Sequence, residues 1–283
     1  MKFPWQLVAA AAALCAPLAS SEDAVDRSGG PYVPTPPAVV EAMLNVAGVG
    51  PGDFVIDLGS GDGRIVLTAA TRFKAGGMGV DIDPELVDAA NASAQKQGVG
   101  GRVKFVRQDV RAADLGQATV VTLYLLPGMM TNLRNKLLAE LKPGARVVSH
   151  DFLFDQWRPD RSVTVETQEK YDITGIWTSD VHLWIVPAPV AGAWRGKWSG
   201  TRSEEFKLDI KQGFQHFEGR LARGGGTVGV RDGRIAGPTL TFTVPGQNGR
   251  RERHSAVVAE GRMSGEVRDG ETVIARWNAT RVP

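Results

Sequence analysis

The sequence predicts an α/β fold, an open and mostly parallel sheet ending in an antiparallel pair, followed by a small all-β domain resembling a barrel. Three observations carry this expectation. Between residues 35 and 152, apolar strand-like runs alternate with segments of helical periodicity, the pattern of a parallel sheet covered on both faces. From Pro187 onward no helix pattern remains, and short alternating runs such as "FKLDI" and "TLTFTV" are separated by glycines, which suits a small antiparallel barrel. At 283 residues, 42% of them hydrophobic, the chain can bury two cores at roughly 150 residues each.

The elements follow in order. Thr35 before Pro36 and Pro37 reads as a helix N-cap with prolines in the first turn, and Val39, Val40, Met43 and Leu44 continue at helical spacing. A buried strand is expected from Phe54 to Leu58, a helix from Gly63 to Phe73, a strand in "MGVDID" and a helix from Pro84 to Gln97. "RVKFV" and "ATVVTLYLL" read as strands, "GMMTNLRNKLLAELKPG" as an amphipathic helix stopped by Pro143-Gly144, and "ARVVSHDF" as another strand. "SVTVETQE", "YDITGIWT" and "HLWIVPA" are all strand-like with no helix between them, so the sheet should end in an antiparallel pair. "GRLARG", "GRIAGP" and "GRMSGE" mark expected turns of the β-rich part, too brief and uneven for a solenoid repeat.

The N-terminus reads as a targeting segment. Lys2 precedes an apolar stretch from Leu7 to Leu18, and Ala19-Ser20-Ser21 offers a small-x-small cleavage site. That stretch is shorter than the about 20 residues of a spanning helix, although Trp5 would suit an uncleaved interfacial anchor. The single cysteine, Cys15, lies inside this segment, and Leu14 before it is too bulky for lipoprotein processing. A cleaved chain would therefore use no disulfide, cysteine ligand or cysteine nucleophile, and no metal site is expected. The formal charge of +2 is divided unevenly: from Ala188 onward 16 Lys/Arg face 10 Asp/Glu, a net +6 against −4 for the remainder. Because those charges are mixed, the basic tail reads as a solvated strand face, with a membrane surface as a second candidate contact and no nucleic acid expected.

The chemistry is concentrated in "VIDLGSGDGR". In open parallel sheets, ligands bind beyond the carboxyl ends of the strands, and glycines there let backbone approach a ligand closely. Gly59, Gly61 and Gly63 follow a G-x-G-x-G pattern rather than the G-x-G-x-x-G of a pyrophosphate loop. Asp57 and Asp62 would repel a pyrophosphate and attract an ammonium, so the loop suits S-adenosylmethionine. Asp81, ending "GVDID" about 20 residues on, can accept both ribose hydroxyls, and Asp109 in "RQDV" can hold the adenine with its neighbouring backbone.

At "YVPTPPAVVEAML", "VIDLGSGDGRIVLTAA", "GVDIDPEL", "TVVTLYLLP" and "LKPGARVVSHDF", residues from Tyr32 to Val186 resemble class I S-adenosylmethionine-dependent methyltransferases. Within that class they resemble the group holding the mitochondrial lysine methyltransferases of the ATP synthase c subunit and the adenine nucleotide translocase, with bacterial relatives. The resemblance implies a Rossmann-like sheet and cofactor contacts from Thr35, Asp57, Gly59, Gly61, Asp81 and Asp109. Ser60, Gly63, Ile82 and Gln108, in the same loops, complete the expected cofactor set. The resemblance also implies that Tyr124, Leu125, Leu126 and Pro127 line the methyl-transfer site; Asn132 and Trp157 are further lining candidates read from the sequence itself. The expected organisation is a signal peptide or membrane anchor over 1–21, a methyltransferase domain over 30–187, a linker over 188–192 and a β-rich domain over 193–283.

Methyl transfer to an amine requires alignment, exclusion of water and a deprotonated nucleophile. A lysine has a reference pKa of about 10.4, and His150, Asp151 and Tyr124 are expected at the sheet's carboxyl edge to accept its proton or orient it. Three classes follow: a methyltransferase acting on protein lysine, one acting on a small molecule, and a non-catalytic exported protein that binds the cofactor or another ligand. No insertion between strands offers a helical lid, which favours an open site able to admit a side chain of a larger protein. The N-terminus implies membrane association or export to the periplasm, with anchoring on the cytoplasmic face as the alternative; the sequence assigns no oligomeric state.

Overall fold

The computed structural model describes residues 29–199, 204–246 and 250–282; the expected targeting segment, with Cys15, lies outside the described residues. Helix α1 (Pro37–Val46) opens on prolines and buries Val39, Val40, Met43 and Leu44 on one face. Thr35 does not cap it: Pro36 holds the N-cap position, and the Thr35 hydroxyl instead meets His150 Nδ1 at 3.2 Å. There follow β1 (Phe54–Leu58), α2 (Arg64–Arg72), β2 (Gly76–Asp81), α3 (Pro84–Lys96), β3 (Val103–Arg107), β4 (Val120–Leu123), α4 (Pro127–Glu140) and β5 (Arg146–His150). Their strands are parallel, and β6 (Arg161–Glu166) and β7 (Thr178–Ile185) add the antiparallel end pair, giving the order β3-β2-β1-β4-β5-β7-β6. The chain runs from β1 outward to β3 and then crosses to β4, so the topological switch point lies between the carboxyl ends of β1 and β4.

One element departs from the sequence expectation. "YDITGIWT" is not a strand; α5 (Gln168–Thr174) covers its first half. Thr167 caps the helix by accepting from Lys170 N at 3.0 Å, and Gly175 closes it with φ 73°. The cap and the left-handed glycine outweigh the β-branched and aromatic composition.

The second domain is a closed eight-stranded barrel. Its strands are β8 (Gly192–Ser199), β9 (Glu204–Gly213), β10 (His216–Arg223), β12 (Arg231–Ala236), β13 (Thr239–Pro245), β14 (Arg251–Ala259), β15 (Arg262–Asp269) and β16 (Thr272–Arg281), with β11 (Gly226–Gly229) as a hairpin arm on β10. The β9–β10 pairing closes the ring and leaves no open edge in it. Trp194, Trp198, Phe206, Phe242 and Trp277 fill the interior. Ala188 and Val190 are also buried there, so 188–192 is not the free linker expected from its composition. Of the Gly-Arg repeats, Gly219 and Gly233 lie inside strands, where a Cβ would come within 2.5 and 2.2 Å of neighbouring carbonyl oxygens; only Gly261, φ 71°, sits in a turn.

The barrel docks at the end of the sheet remote from the switch point. Ala188 N donates to Gly237 O at 2.8 Å, Gln215 Nε2 donates to Arg158 O and to Asp160, and Arg234 pairs with Asp160 at 3.0 Å. Phe214 stacks on Trp157 at 6.0 Å. Trp157 was expected to line the methyl-transfer site; its exposure is 0%, and Phe154, Trp184 and Phe214 surround it, so it is a core and interdomain residue. A chain ending at Pro187 should keep cofactor binding, measured by calorimetry, but melt about 5–10 °C lower, taking roughly 2–3 kcal/mol for re-exposing this aromatic contact. An unchanged midpoint would show that the interface adds no stability, and loss of binding would make the barrel part of the catalytic core.

Candidate functional site

A cavity with about 990 Å³ of space, its solvent mouth included, opens at the switch point. Its walls come from the loop after β1, the end of β2, the turn after β3, the turn after β4, and residues 29–35, which precede α1. Thr35, Asp57, Gly59, Ser60, Gly61, Asp81, Ile82, Asp109, Tyr124 and Leu125 all line it, joined by Tyr32, Arg64 and Met129.

The glycine loop is shaped by what touches it. Gly59, Gly61 and Gly63 have φ of 80°, 52° and 81°, the left-handed region that side chains rarely adopt. A Cβ on Gly61 would lie 2.5 Å from the Tyr32 ring, and one on Gly59 would lie 2.9 Å from Leu125. Gly63 faces inward instead, where a Cβ would strike Phe105 and Ala90; it serves helix packing and does not line the cavity. Gly59 N and Ser60 N donate to Val80 O at 2.8 and 3.0 Å, and Gly61 N donates to Asp81 Oδ2 at 2.7 Å, tying the loop to β2. Gln108 acts in the same scaffold, donating its backbone N to Asp81 O at 2.8 Å and its side chain to Ala112 O, outside the cavity wall.

The electrostatics are acidic. Asp57 is 2% exposed and accepts a 2.7 Å hydrogen bond from Thr122, its partner across β4. Burial raises its pKa to about 7 against the pull of Thr122, and the carboxylates of Asp81 and Asp62 add to the rise. Asp62 is gripped by Arg64, whose guanidinium also donates to Thr35 O at 2.9 Å, and Asp109 is paired with Arg111. Ser60 Oγ is buried without a hydrogen-bond partner. A loop without side chains at its tight points, an unsatisfied buried hydroxyl and a carboxylate short of a cation fit the amino-acid end of S-adenosylmethionine, and Asp81 at the end of β2 fits the ribose hydroxyls. A pyrophosphate would meet these carboxylates and be repelled.

The acceptor side is built around Tyr124. Its ring lies 3.9 Å from the His150 ring and 5.9 Å from Phe152, and its hydroxyl donates to Asp151 at 3.4 Å. Burial first, then the Asp151 charge, pushes the Tyr124 pKa up to about 12, so the hydroxyl keeps its proton. His150 is fully buried, with Nδ1 bonded to Thr35 and Nε2 to Ser179 at 2.8 Å; burial lowers its pKa to about 4 against the pull of Asp151. Asp151 is held by Lys170 and by Asp180 N at 3.1 Å. His150 and Asp151 therefore stand behind Tyr124 and do not line the cavity, which corrects the expectation that either takes the proton of the nucleophile directly. Leu126, 42% exposed, Pro127, which begins α4, and Asn132, exposed on that helix, all lie outside the cavity wall, so of the expected lining residues in this stretch only Tyr124 and Leu125 line it.

Several residues escaped sequence reasoning. Thr122 was legible as the polar residue in the apolar strand "VVTL", and Arg64 as the cation two places after Asp62. Lys170 and Ser179 reach the site only through β6, α5 and β7 and gave no local signal.

Asp57 generates a pH dependence. Its folded pKa is raised, so below about pH 7 it is protonated, and an ammonium ligand must first displace that proton. Affinity for S-adenosylmethionine should rise about tenfold from pH 6 to pH 8 and then level, with proton release detected by calorimetry in buffers of different ionisation enthalpy. Asp57→Asn should bind more weakly at pH 8 and show no such rise; a wild-type affinity flat across this range would remove Asp57 from the cofactor's ammonium.

Residues 57–161 match the family model of the ANTKMT methyltransferase domain. The chain is similar to a protein-lysine N-methyltransferase of Saccharolobus islandicus (strain REY15A), with 47% identity over 137 residues, covering 48% of this chain and 85% of that protein. It is 38% identical to the adenine nucleotide translocase lysine N-methyltransferase of Mus musculus over 54% of this chain and 63% of that one. A crystal structure of an RNA methyltransferase from Salinibacter ruber in complex with S-adenosyl-L-homocysteine is 45% identical, with a TM-score of 0.50 over 56% of this chain and 96% of that one. These likenesses and the cavity agree: the chain belongs to the ANTKMT-type methyltransferase family and is an S-adenosylmethionine-dependent methyltransferase.

Proposed function

We propose that the chain methylates lysine side chains of a protein. The observation that carries this reading is Tyr124: its hydroxyl hydrogen is directed to Asp151, which leaves the oxygen as an acceptor for an N–H at the cavity wall. The bound cofactor supplies an electrophilic methyl on a sulfonium. The residues of the chain align the amine and set its charge environment. Asp57, Asp81 and Asp83 line the cavity, and their charge opposes a polyphosphate backbone. Residues 29–35 line the cavity ahead of α1, and the cavity opens to solvent, where a side chain carried on a larger molecule can enter. The lysine methyltransferases of Saccharolobus islandicus and Mus musculus described above support the same reading. An RNA substrate is the second reading, favoured by the Salinibacter ruber relative alone. On the acceptor side Tyr124 keeps its proton and His150 is enclosed, so neither takes the proton of the amine. The amine then reacts through its neutral fraction, with water taking the proton.

Incubating the protein and methyl-labelled cofactor with membrane proteins, soluble proteins and RNA in parallel tests the choice. Label should enter protein and appear as methyl-lysine after acid hydrolysis, and the rate should climb about tenfold per pH unit from 7 to 9, following the neutral amine. Label in RNA or in solvent-extractable material overturns the lysine reading, and a plateau below pH 8 would reveal a base.

The N-terminal pattern supports a further proposal, that Leu7–Leu18 directs the chain to a membrane, with cleavage after Ser21. A retained anchor facing the cytoplasm keeps access to S-adenosylmethionine, whereas a released periplasmic protein does not. N-terminal sequencing of the native protein after fractionation should give a membrane or periplasmic species; a chain starting at Met1 in the cytosolic fraction overturns targeting.

A further inference from the structure

The span from Tyr171 to Thr178 is exposed at every residue, yet it carries Tyr171, Ile173, Ile176 and Trp177, which are 42–56% exposed. Apolar side chains clustered in this way mark a contact surface, whereas scattered ones do not. The rings of Tyr171 and Trp177 stack at 4.6 Å, so the surface is ordered by its own side chains. Both of its ends are fastened to the acceptor side of the active site. Before it, Lys170 is buried and paired with Asp151; after it, Ser179 bonds His150 and Asp180 N donates to Asp151. The span therefore sits beside Tyr124, where Leu126 and Leu153 are also exposed.

Charge decides what it accepts. From Ser162 to Trp194, Lys170 is the only Lys or Arg, and it is buried, whereas Glu166, Glu169 and Asp172 are exposed. An apolar surface rimmed by carboxylates complements a cationic polypeptide and opposes an anionic lipid surface. We infer that Tyr171–Thr178 docks the polypeptide that bears the target lysine, taking apolar side chains next to that lysine on Tyr171, Ile173, Ile176 and Trp177, and neighbouring basic ones on Glu166, Glu169 and Asp172. This inference rests on the lysine reading above and narrows its substrates to lysines in apolar, basic surroundings.

The test uses short peptides with one lysine flanked either by leucines or by serines, the full chain, and its Ile176→Ser/Trp177→Ala variant. Wild type should show a KM about tenfold lower for the leucine-flanked peptide, and the variant should lose that preference while cofactor affinity by calorimetry stays unchanged. Glu169→Lys/Asp172→Lys should raise KM for an arginine-containing peptide and remove its salt dependence. Equal KM values for wild type and variant on the leucine-flanked peptide overturn the inference. So does a variant that keeps its peptide KM but loses binding to phosphatidylcholine vesicles, which would make the span a lipid contact. Wild type that methylates neither peptide but labels RNA refutes the lysine reading itself, a different failure from loss of the flank preference alone.

Discussion

The architecture of the site depends on one constraint, a carboxylate buried at the junction of β1 and β4. Asp57 is 2% exposed and has a single side-chain hydrogen bond, from Thr122. Burying such a group is unfavourable unless something satisfies it, and its pKa near 7 expresses that penalty in the free protein. The surroundings follow from the need to bring a cation to it. The loop after β1 must pass close by without side chains, which the left-handed backbone of Gly59 and Gly61 allows. Asp62 and Asp109 are each paired with an arginine, so the local field is left to Asp57 and the carboxylates of β2's end. Stability given up at this point is recovered when the cofactor binds, because a ligand that binds only the folded state stabilises it.

A second carboxylate organises the acceptor side. Asp151, at φ 62°, receives Lys170, Asp180 N and the Tyr124 hydroxyl, and it lies 3.5 Å from His150. A buried lysine beside it keeps Asp151 compensated, while the enclosed His150 remains neutral through the physiological range. These groups work by position: they fix the ring and hydroxyl of Tyr124, and they fasten the ends of the exposed span beside it. Removing either partner of the Lys170–Asp151 pair would strand a charge in a largely buried place, a change that costs several kcal/mol.

Much of this was legible in the sequence because the relevant signals were local. The glycine loop, Asp81 and Asp109 sit at strand ends that hydrophobic periodicity locates, and one parallel topology brings such ends together. What escaped depends on long-range packing. Trp157 is a lining candidate in the sequence, but residues 151–160 run back down the sheet and carry it to the barrel. "YDITGIWT" looked like a strand because its aromatic and β-branched residues satisfy strand propensity; those residues are exposed, so propensity was reporting a surface instead of a core. Lys170 reads as an ordinary surface lysine until α5 turns it inward against Asp151.

The same descending segment links the barrel to the active site without the barrel touching it. Asp151 begins the segment under Tyr124, and Asp160 ends it at the barrel, accepting from Gln215 and Arg234 and from Ile185 N at 2.8 Å. Between them Phe154 and Trp157 pack on Trp184, and Trp184 Nε1 donates to Trp157 O at 2.9 Å. The segment is thus clamped at its lower end by the barrel and through its middle by the aromatic core, so Asp151 is held from below as well as by Lys170 from above. Placing the barrel at the opposite end of the sheet gives the segment this support and leaves the carboxyl edge, with its cavity and its exposed aromatic span, open to whatever molecule presents the nucleophile.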